Sequence, residues 1–250
     1  MLLGRDPVCQ EIDKVIASVG SDVGASLVLI GERGIGKTAL LRYAEQRAGS
    51  VRALTACGVS AESSLPFAGL HGLLRPILGL LPHIPVRQAS ALSAGFALMP
   101  EAAVDEFAIA AGTLNMLAAA RAEGPLLLLV DDFDLWDDTS RAALLFVARR
   151  TAFEGVGIIL ASTTDEEDTG LPCHQIPPLD PSVGGELLRR ANPEPIAAAV
   201  ADQLVCFSAG TPLVLLEMPG VLSPGQLAGA EPLPDPLPVG PRVRHAGSRR

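Results

Sequence analysis

Lysine is nearly missing from this chain: Lys14 and Lys37 stand against 17 arginines. A basic excess is missing too, since the formal net charge is -9 and the isoelectric point lies near 4.9. A surface of that sign does not hold nucleic acid by neutralising phosphates, so direct DNA binding is not expected. Only the last ten residues oppose the trend, with Arg242, Arg244, Arg249 and Arg250 and no acid, and they read as a solvated end. The four cysteines, Cys9, Cys57, Cys173 and Cys206, are scattered, with no CxxC among them. That spacing supports neither a zinc site nor a disulfide framework and predicts reduced, buried thiols in a cytoplasmic protein. No uncharged run of eighteen apolar residues occurs, so no membrane span is expected. The opening MLLGRDPVCQEID also lacks the basic stretch of a signal peptide.

With 48% hydrophobic residues among 250, the chain can bury one good core and a small second subdomain. In so lysine-poor a chain, the position of Lys37 is informative. Gly31, Glu32, Arg33, Gly34, Ile35, Gly36, Lys37 and Thr38 read GERGIGKT, a full match to the phosphate-cradling pattern GxxxxGK(S/T). The flanks fit: Ser26 to Ile30 reads as a buried strand, and Ala39 to Arg47 carries the apolar spacing of a helix. Glycines let the backbone turn tightly with N–H groups inward, and the helix N-terminus adds partial positive charge toward an anion. Lys37 would reach the β- and γ-phosphates, and the Thr38 hydroxyl would ligate Mg²⁺. A compact, mobile ammonium suits that task better than a guanidinium fork. Binding of a nucleoside triphosphate along residues 31–39, Ala39 included, is expected.

Further strands are predicted at Val51 to Cys57, Leu126 to Val130, Gly155 to Ala161 and Cys173 to Ile176. Helical spacing lies between them: Val8 to Val19, Pro66 to Leu81 broken at Pro76, Gln88 to Leu98, Glu101 to Ala122 and Thr139 to Arg150. Apolar strands alternating with helices predict an α/β fold, a three-layer P-loop NTPase sandwich around a mostly parallel five-stranded sheet. From Asp180 the pattern turns helical. The expected organisation is a core over residues 1–178, a helical lid over 179–230 and a proline-rich, basic, disordered tail over 231–250.

A phosphate site that uses Mg²⁺ needs one or two carboxylates beside its glycine loop. Asp131 and Asp132 supply them, directly after the apolar run Leu126 to Val130, at the strand edge where open α/β sheets bind ligands. Asp131 is the expected Mg²⁺ contact, through water or directly. Asp132 should point the other way along the strand and orient or deprotonate the attacking water. Asp134, Asp137 and Asp138 read as turn and helix-cap residues. His71 and His83 read as packing or surface residues, Trp136 as a packing residue and Arg149-Arg150 as a solvated helix end, although a neighbouring subunit's phosphate is within reach in an oligomer.

In sequence order, Leu3-Gly4-Arg5-Asp6, GERGIGKTALL, ESSLPFAGLHGLLRP (Glu62 to Pro76), PLLLLVDD, SRAALLFVARR (Ser140 to Arg150), Gly210-Thr211-Pro212-Leu213 and the stretch from Gly225 to Pro234 carry a resemblance. Together they resemble the N-terminal ATP-binding region, AAA/STAND-like, of large LuxR-family transcriptional regulators. The resemblance implies ATP with Mg²⁺ as ligand, ATP rather than GTP, and bound between sheet domain and lid. It implies Arg5 near adenine or ribose, a sheet in which the strand at Gly155 to Ala161 lies between those at Ser26 to Ile30 and Leu126 to Val130, and self-association or regulator proteins as partners. It also implies that the chain ends before the sensor and helix-turn-helix regions of its relatives. Four departures are visible: Leu135-Trp136 in reversed order, Thr163 where an arginine is common, Thr211 within the usual GNP, and Val8 where an acid is common. A neutral Thr163 predicts weakened hydrolysis. The expected function is a slowly ATP-hydrolysing switch module. The alternatives are a non-catalytic nucleotide-binding module acting through protein partners and, less well supported, a small-molecule kinase.

Overall fold

Five apolar runs pair in parallel as one sheet: β1 (Ala25–Ile30), β2 (Arg52–Cys57), β3 (Leu126–Asp131), β4 (Val156–Ser162) and β5 (Cys173–Gln175). Their order across the sheet is β2-β3-β4-β1-β5, which places β4 between β1 and β3, as the resemblance implied. With helices on both faces this is the P-loop NTPase architecture. The computed structural model describes residues 2–21, 23–99, 105–163, 169–238 and 240.

Position in the sheet explains the strand compositions. β4 is buried along its whole length, β3 through Val130 and β1 over its last four residues, because each has strand neighbours on both sides and helices above and below. The edge strands β2 and β5 have one neighbour each and are mostly half-buried or exposed. One sheet face, with Val28, Ile30, Leu128, Val130, Ile158 and Leu160, joins the main core with α3 (Ala68–Leu74), α5 (Glu106–Ala122) and α6 (Asp138–Ala148). The other face takes α1 (Asp6–Gly20) and α2 (Lys37–Arg47). Here α1 comes close at Gly157, where an added Cβ would lie 2.6 Å from Val19 Cγ2 and 2.8 Å from Leu127 Cδ1. Gly157→Ala is therefore expected to cost about 1–3 kcal/mol through overpacking, read as a lowered midpoint in chemical denaturation.

One expectation is refined on inspection and two change. The leucine-dense run from Pro66 does not continue as a helix past Pro76: α3 stops at Leu74, and Arg75–His83 is a 3-10 stretch. A proline lacks the N–H that the interior of the helix needs, and Pro76 instead stands in the first turn of the 3-10 stretch, where its missing N–H has no partner to lose. The alanine-rich helix α5 begins at Glu106, where the Asp105 side chain caps it by accepting from the Ala108 amide at 2.9 Å; the expected start near Glu101 lies outside the described residues. The thiols form no disulfide among the described residues but are mostly not buried: Cys57, Cys173 and Cys206 are exposed and Cys9 is half-buried. Two of these follow from the edge strands, which leave Cys57 and Cys173 uncovered. The remaining short helices of this part are α4 (Val86–Gly95) and α7 (Thr151–Glu154).

By contacts the chain divides into two compact units. One comprises Pro7–Ile30 and Lys37–Gln175, the sheet and helices α1 to α7. The other comprises the residues up to Asp6, Gly31–Gly36 and the residues from Ile176 onward. It contains α8 (Pro181–Ala191), α9 (Ala198–Ser208), α10 (Pro212–Glu217) and α11 (Pro224–Leu227). These close on a small core of Leu188, Val200, Leu204, Met218 and Leu222. Leu233 and Leu237 of the proline-rich stretch pack against that core. The alternation of leucine with proline supplies apolar side chains at regular intervals. The basic residues 241–250 lie outside the described residues.

Candidate functional site

The glycine loop leaves β1 at Gly31 and ends where α2 begins. Gly34 and Gly36 have φ of +81° and +108°, backbone settings that side-chain-bearing residues rarely adopt. The Ile35 amide closes a turn onto the Glu32 carbonyl at 3.3 Å. The Ile35 side chain is buried, whereas Glu32 is exposed and Arg33 half-buried. Arg5, only 5% exposed, donates to the Ile35 carbonyl at 3.0 Å and to the Pro177 carbonyl at 2.6 Å. The Leu213 amide donates to the Gly34 carbonyl at 3.1 Å. Two successive loop carbonyls are thus held by donors from outside the loop.

In the sheet unit, α2 starts at Lys37, so the amides of its first turn have no partners within the helix and carry partial positive charge. Lys37 is 6% exposed, Thr38 is exposed and Ala39 half-buried. The Thr38 hydroxyl donates to Asp131 Oδ2 at 2.5 Å. That contact joins, across 93 positions of sequence, the two residues expected to hold Mg²⁺. An alcohol and a carboxylate oxygen are hard donors of the kind Mg²⁺ takes, with water and phosphate completing its shell. Among the described residues no group of three His, Cys, Asp or Glu side chains is placed to hold an ion alone. Beside the pair lies a cavity of about 290 Å³ lined by Thr38, Arg42, Glu45, Thr55, Cys57 and Asp131, among others.

Asp132 departs from the strand reading. β3 ends at Asp131, and Asp132 stands in the left-handed region at φ 45° and ψ 47°, opening the 3-10 turn Phe133–Leu135. Strand alternation therefore does not set its direction; the turn does. Its amide donates to Asp131 Oδ1 at 3.0 Å, and its Oδ2 lies 4.0 Å from Cys57 Sγ at the tip of β2. Burial pushes the Cys57 thiol up, and the negative charges of Asp132 and Asp131 push it further. A left-handed aspartate at a strand tip is a backbone setting found more often at functional sites than elsewhere.

The other acids have structural partners that residue spacing alone did not give. Asp134 accepts from both the amide and the hydroxyl of Thr163, just past β4, so this threonine is engaged with a carboxylate. Thr164 lies outside the described residues. Asp137, 4% exposed, caps α6 by accepting from the Ser140 amide at 2.8 Å. It also takes the Phe67 amide at 2.8 Å and the Gly69 amide at 3.2 Å at the start of α3. Trp136 packs against Phe133. His71 stands edge-on to Phe96, and His83 is exposed. Of the two arginines expected at a solvated helix end, Arg149 is exposed and donates to the Thr169 carbonyl, whereas Arg150 is half-buried and lies 3.6 Å from the Phe146 ring centre.

Residues 1–160 match the AAA ATPase domain model. The chain belongs to the AAA ATPase domain family. Membership implies nucleotide binding, usually with Mg²⁺. Among solved structures, this AAA domain is similar to a Signal Transduction ATPase with Numerous Domains (STAND) protein with a tetratricopeptide repeat sensor from Pyrococcus horikoshii. The TM-score is 0.52 at 17% identity over 86% of this chain and 29% of that one. It is also similar to Drosophila ORC bound to DNA, with TM-score 0.51, 13% identity and coverage of 86% and 54%. A katanin structure concerned with self-assembly gives TM-score 0.50, 15% identity and coverage of 86% and 66%. At these identities the likeness concerns the fold, and the AAA domain spans less than two thirds of each of these chains. No curated protein matches it. Among the described residues no helix is long and apolar enough to cross a membrane.

Proposed function

We propose that this AAA domain binds ATP with Mg²⁺ and hydrolyses it slowly, as the nucleotide-dependent switch of a LuxR-type transcriptional regulator. The observation that carries the ATP–Mg²⁺ reading is the hydrogen bond between Thr38 and Asp131, which puts the loop's last hydroxyl against the strand-tip carboxylate. In this reading the amides of Gly34 to Ala39 and the Lys37 ammonium hold the β- and γ-phosphates. Thr38 and Asp131 hold Mg²⁺, which neutralises charge building on the phosphate oxygens. Asp132 orients or deprotonates the water that attacks the γ-phosphorus, with ADP as leaving group. The regulatory role rests on the resemblance alone, as do the choice of ATP and any self-association.

The test is a titration with labelled ATP and GTP, with and without Mg²⁺, alongside phosphate release. ATP should bind at least about tenfold more tightly with Mg²⁺ than in chelator, the yield of roughly one charge-assisted contact. Asp131→Asn should keep the metal-free affinity and lose the Mg²⁺ gain. An Asp131→Asn chain with an undiminished gain would remove Asp131 from the metal site.

A second reading, a binding module without turnover, is favoured by Thr163. Its hydroxyl donates to Asp134, and threonine brings no positive charge to stabilise γ-phosphate charge at that position. Phosphate release no greater than that of a Lys37→Ala chain, with ATP still bound by the native protein, would decide for this reading.

A further inference from the structure

The geometry points to Arg5 as a positioning residue that sets the phosphate loop's amides, rather than a contact to the nucleotide base. The inference rests on the reading of that loop as a triphosphate site. The C=O of residue 35 and the N–H of residue 36 share one peptide plane and point in opposite directions. By holding the Ile35 carbonyl at 3.0 Å, Arg5 fixes where the Gly36 amide points. Gly36 needs such help, because its φ of +108° lies where glycine has many alternatives and no side chain restrains it. The preceding peptide is held likewise, by the Leu213 amide on the Gly34 carbonyl.

Arg5 is itself fixed. Its second arm reaches the Pro177 carbonyl at 2.6 Å, and it is 5% exposed. The preceding residue, Gly4, sits so close to α8 that an added Cβ would meet Val183 Cγ1 at 2.9 Å. A guanidinium fork spans two carbonyls at once; an ammonium is a point charge on a flexible stem and cannot reproduce that span. The loop is therefore shaped before phosphate arrives, and binding need not order it.

The two roles for Arg5 separate by ligand. A residue that sets the loop affects every ligand with a triphosphate tail, whereas a residue that reads adenine or ribose affects only ligands that carry them. Arg5→Lys should weaken ATP, GTP and inorganic tripolyphosphate by the same factor, about tenfold or more, each measured as competition against a labelled ATP analogue. Loss of ATP affinity with tripolyphosphate unchanged would overturn the proposal. A second measurement needs no variant: in the ligand-free native chain the Gly36 amide should be as ordered by ¹⁵N relaxation as the amides of β1. A Gly36 amide mobile on the nanosecond scale would overturn the proposal even if Arg5→Lys fails to fold. Should the native chain bind neither ATP nor tripolyphosphate, the triphosphate reading fails, while an ordered Gly36 amide would still support Arg5 as the loop's fixing point.

Discussion

Lys37→Ala should abolish measurable ATP binding at concentrations that saturate the native chain, while leaving its denaturation midpoint little changed. Lys37 is 6% exposed, in the first turn of α2, one residue before Thr38 of the Thr38–Asp131 pair. A charge held out of water strengthens any anion contact it makes, because the surrounding dielectric is low. Truncating one partner of such a buried charge pair costs about 2–5 kcal/mol, which lowers affinity by roughly thirtyfold to a few thousandfold. The substitution suits the helix, since alanine is the best helix former. Lys37→Arg should not rescue binding. The planar fork needs more room than a 6% exposed site gives and carries its charge differently. Isothermal titration of both variants checks the prediction, and ATP affinity within threefold of native in Lys37→Ala would remove the ammonium from the phosphate site.

Much of this was legible in the sequence, and the parts that were not share a cause. The strands β1, β3 and β4 are continuous apolar runs, and their burial on both faces leaves such runs no other good place. The glycine loop was legible because its residues answer to a ligand's geometry rather than to the rest of the chain. Thr38 and Asp131 were expected together for the same reason. What escaped were contacts that depend on where the chain returns. Nothing local in Asp134 announces Thr163, 29 positions later, nor in Asp137 the amides of Phe67 and Gly69 some 70 positions earlier. Asp132 escaped for a local reason: strand alternation was extended one residue beyond the strand's actual end, where a left-handed turn begins. The proline rule was sound at Pro76, but it could not say that the chain would continue as a 3-10 stretch.

Asp137→Ala should destabilise the sheet unit by at least about 2 kcal/mol, because two main-chain N–H groups would lose their acceptor, each loss costing roughly 1–3 kcal/mol, and a third, of Phe67, would keep only Thr139 Oγ1. The amides belong to Phe67, Gly69 and Ser140, at the starts of α3 and α6, so one carboxylate closes two helix ends at once. Burial pushes this carboxyl up, but hydrogen bonds from Ser140 and Thr139 and from the Phe67 amide outweigh it, and the net shift is downward. A depressed folded-state value fixes the sign of the pH effect. The stabilisation is fully present above the ordinary aspartate pKa of about 3.9 and is lost as pH falls through the lower folded value. Native and Asp137→Ala chains should therefore differ most in denaturation midpoint at neutral pH and converge in strong acid. Convergence already at pH 6 would mean that another group is titrating. The comparison with Asp131 is decisive for the acidic run Asp131 to Asp138. Asp137→Ala should lower stability and leave the Mg²⁺ gain in ATP affinity intact in the folded fraction, whereas Asp131→Asn should do the reverse. Of the five aspartates within these eight residues, Asp137 anchors the starts of α3 and α6 and Asp134 holds Thr163, whereas Asp131 and Asp132 stand at the strand tip proposed for the chemistry.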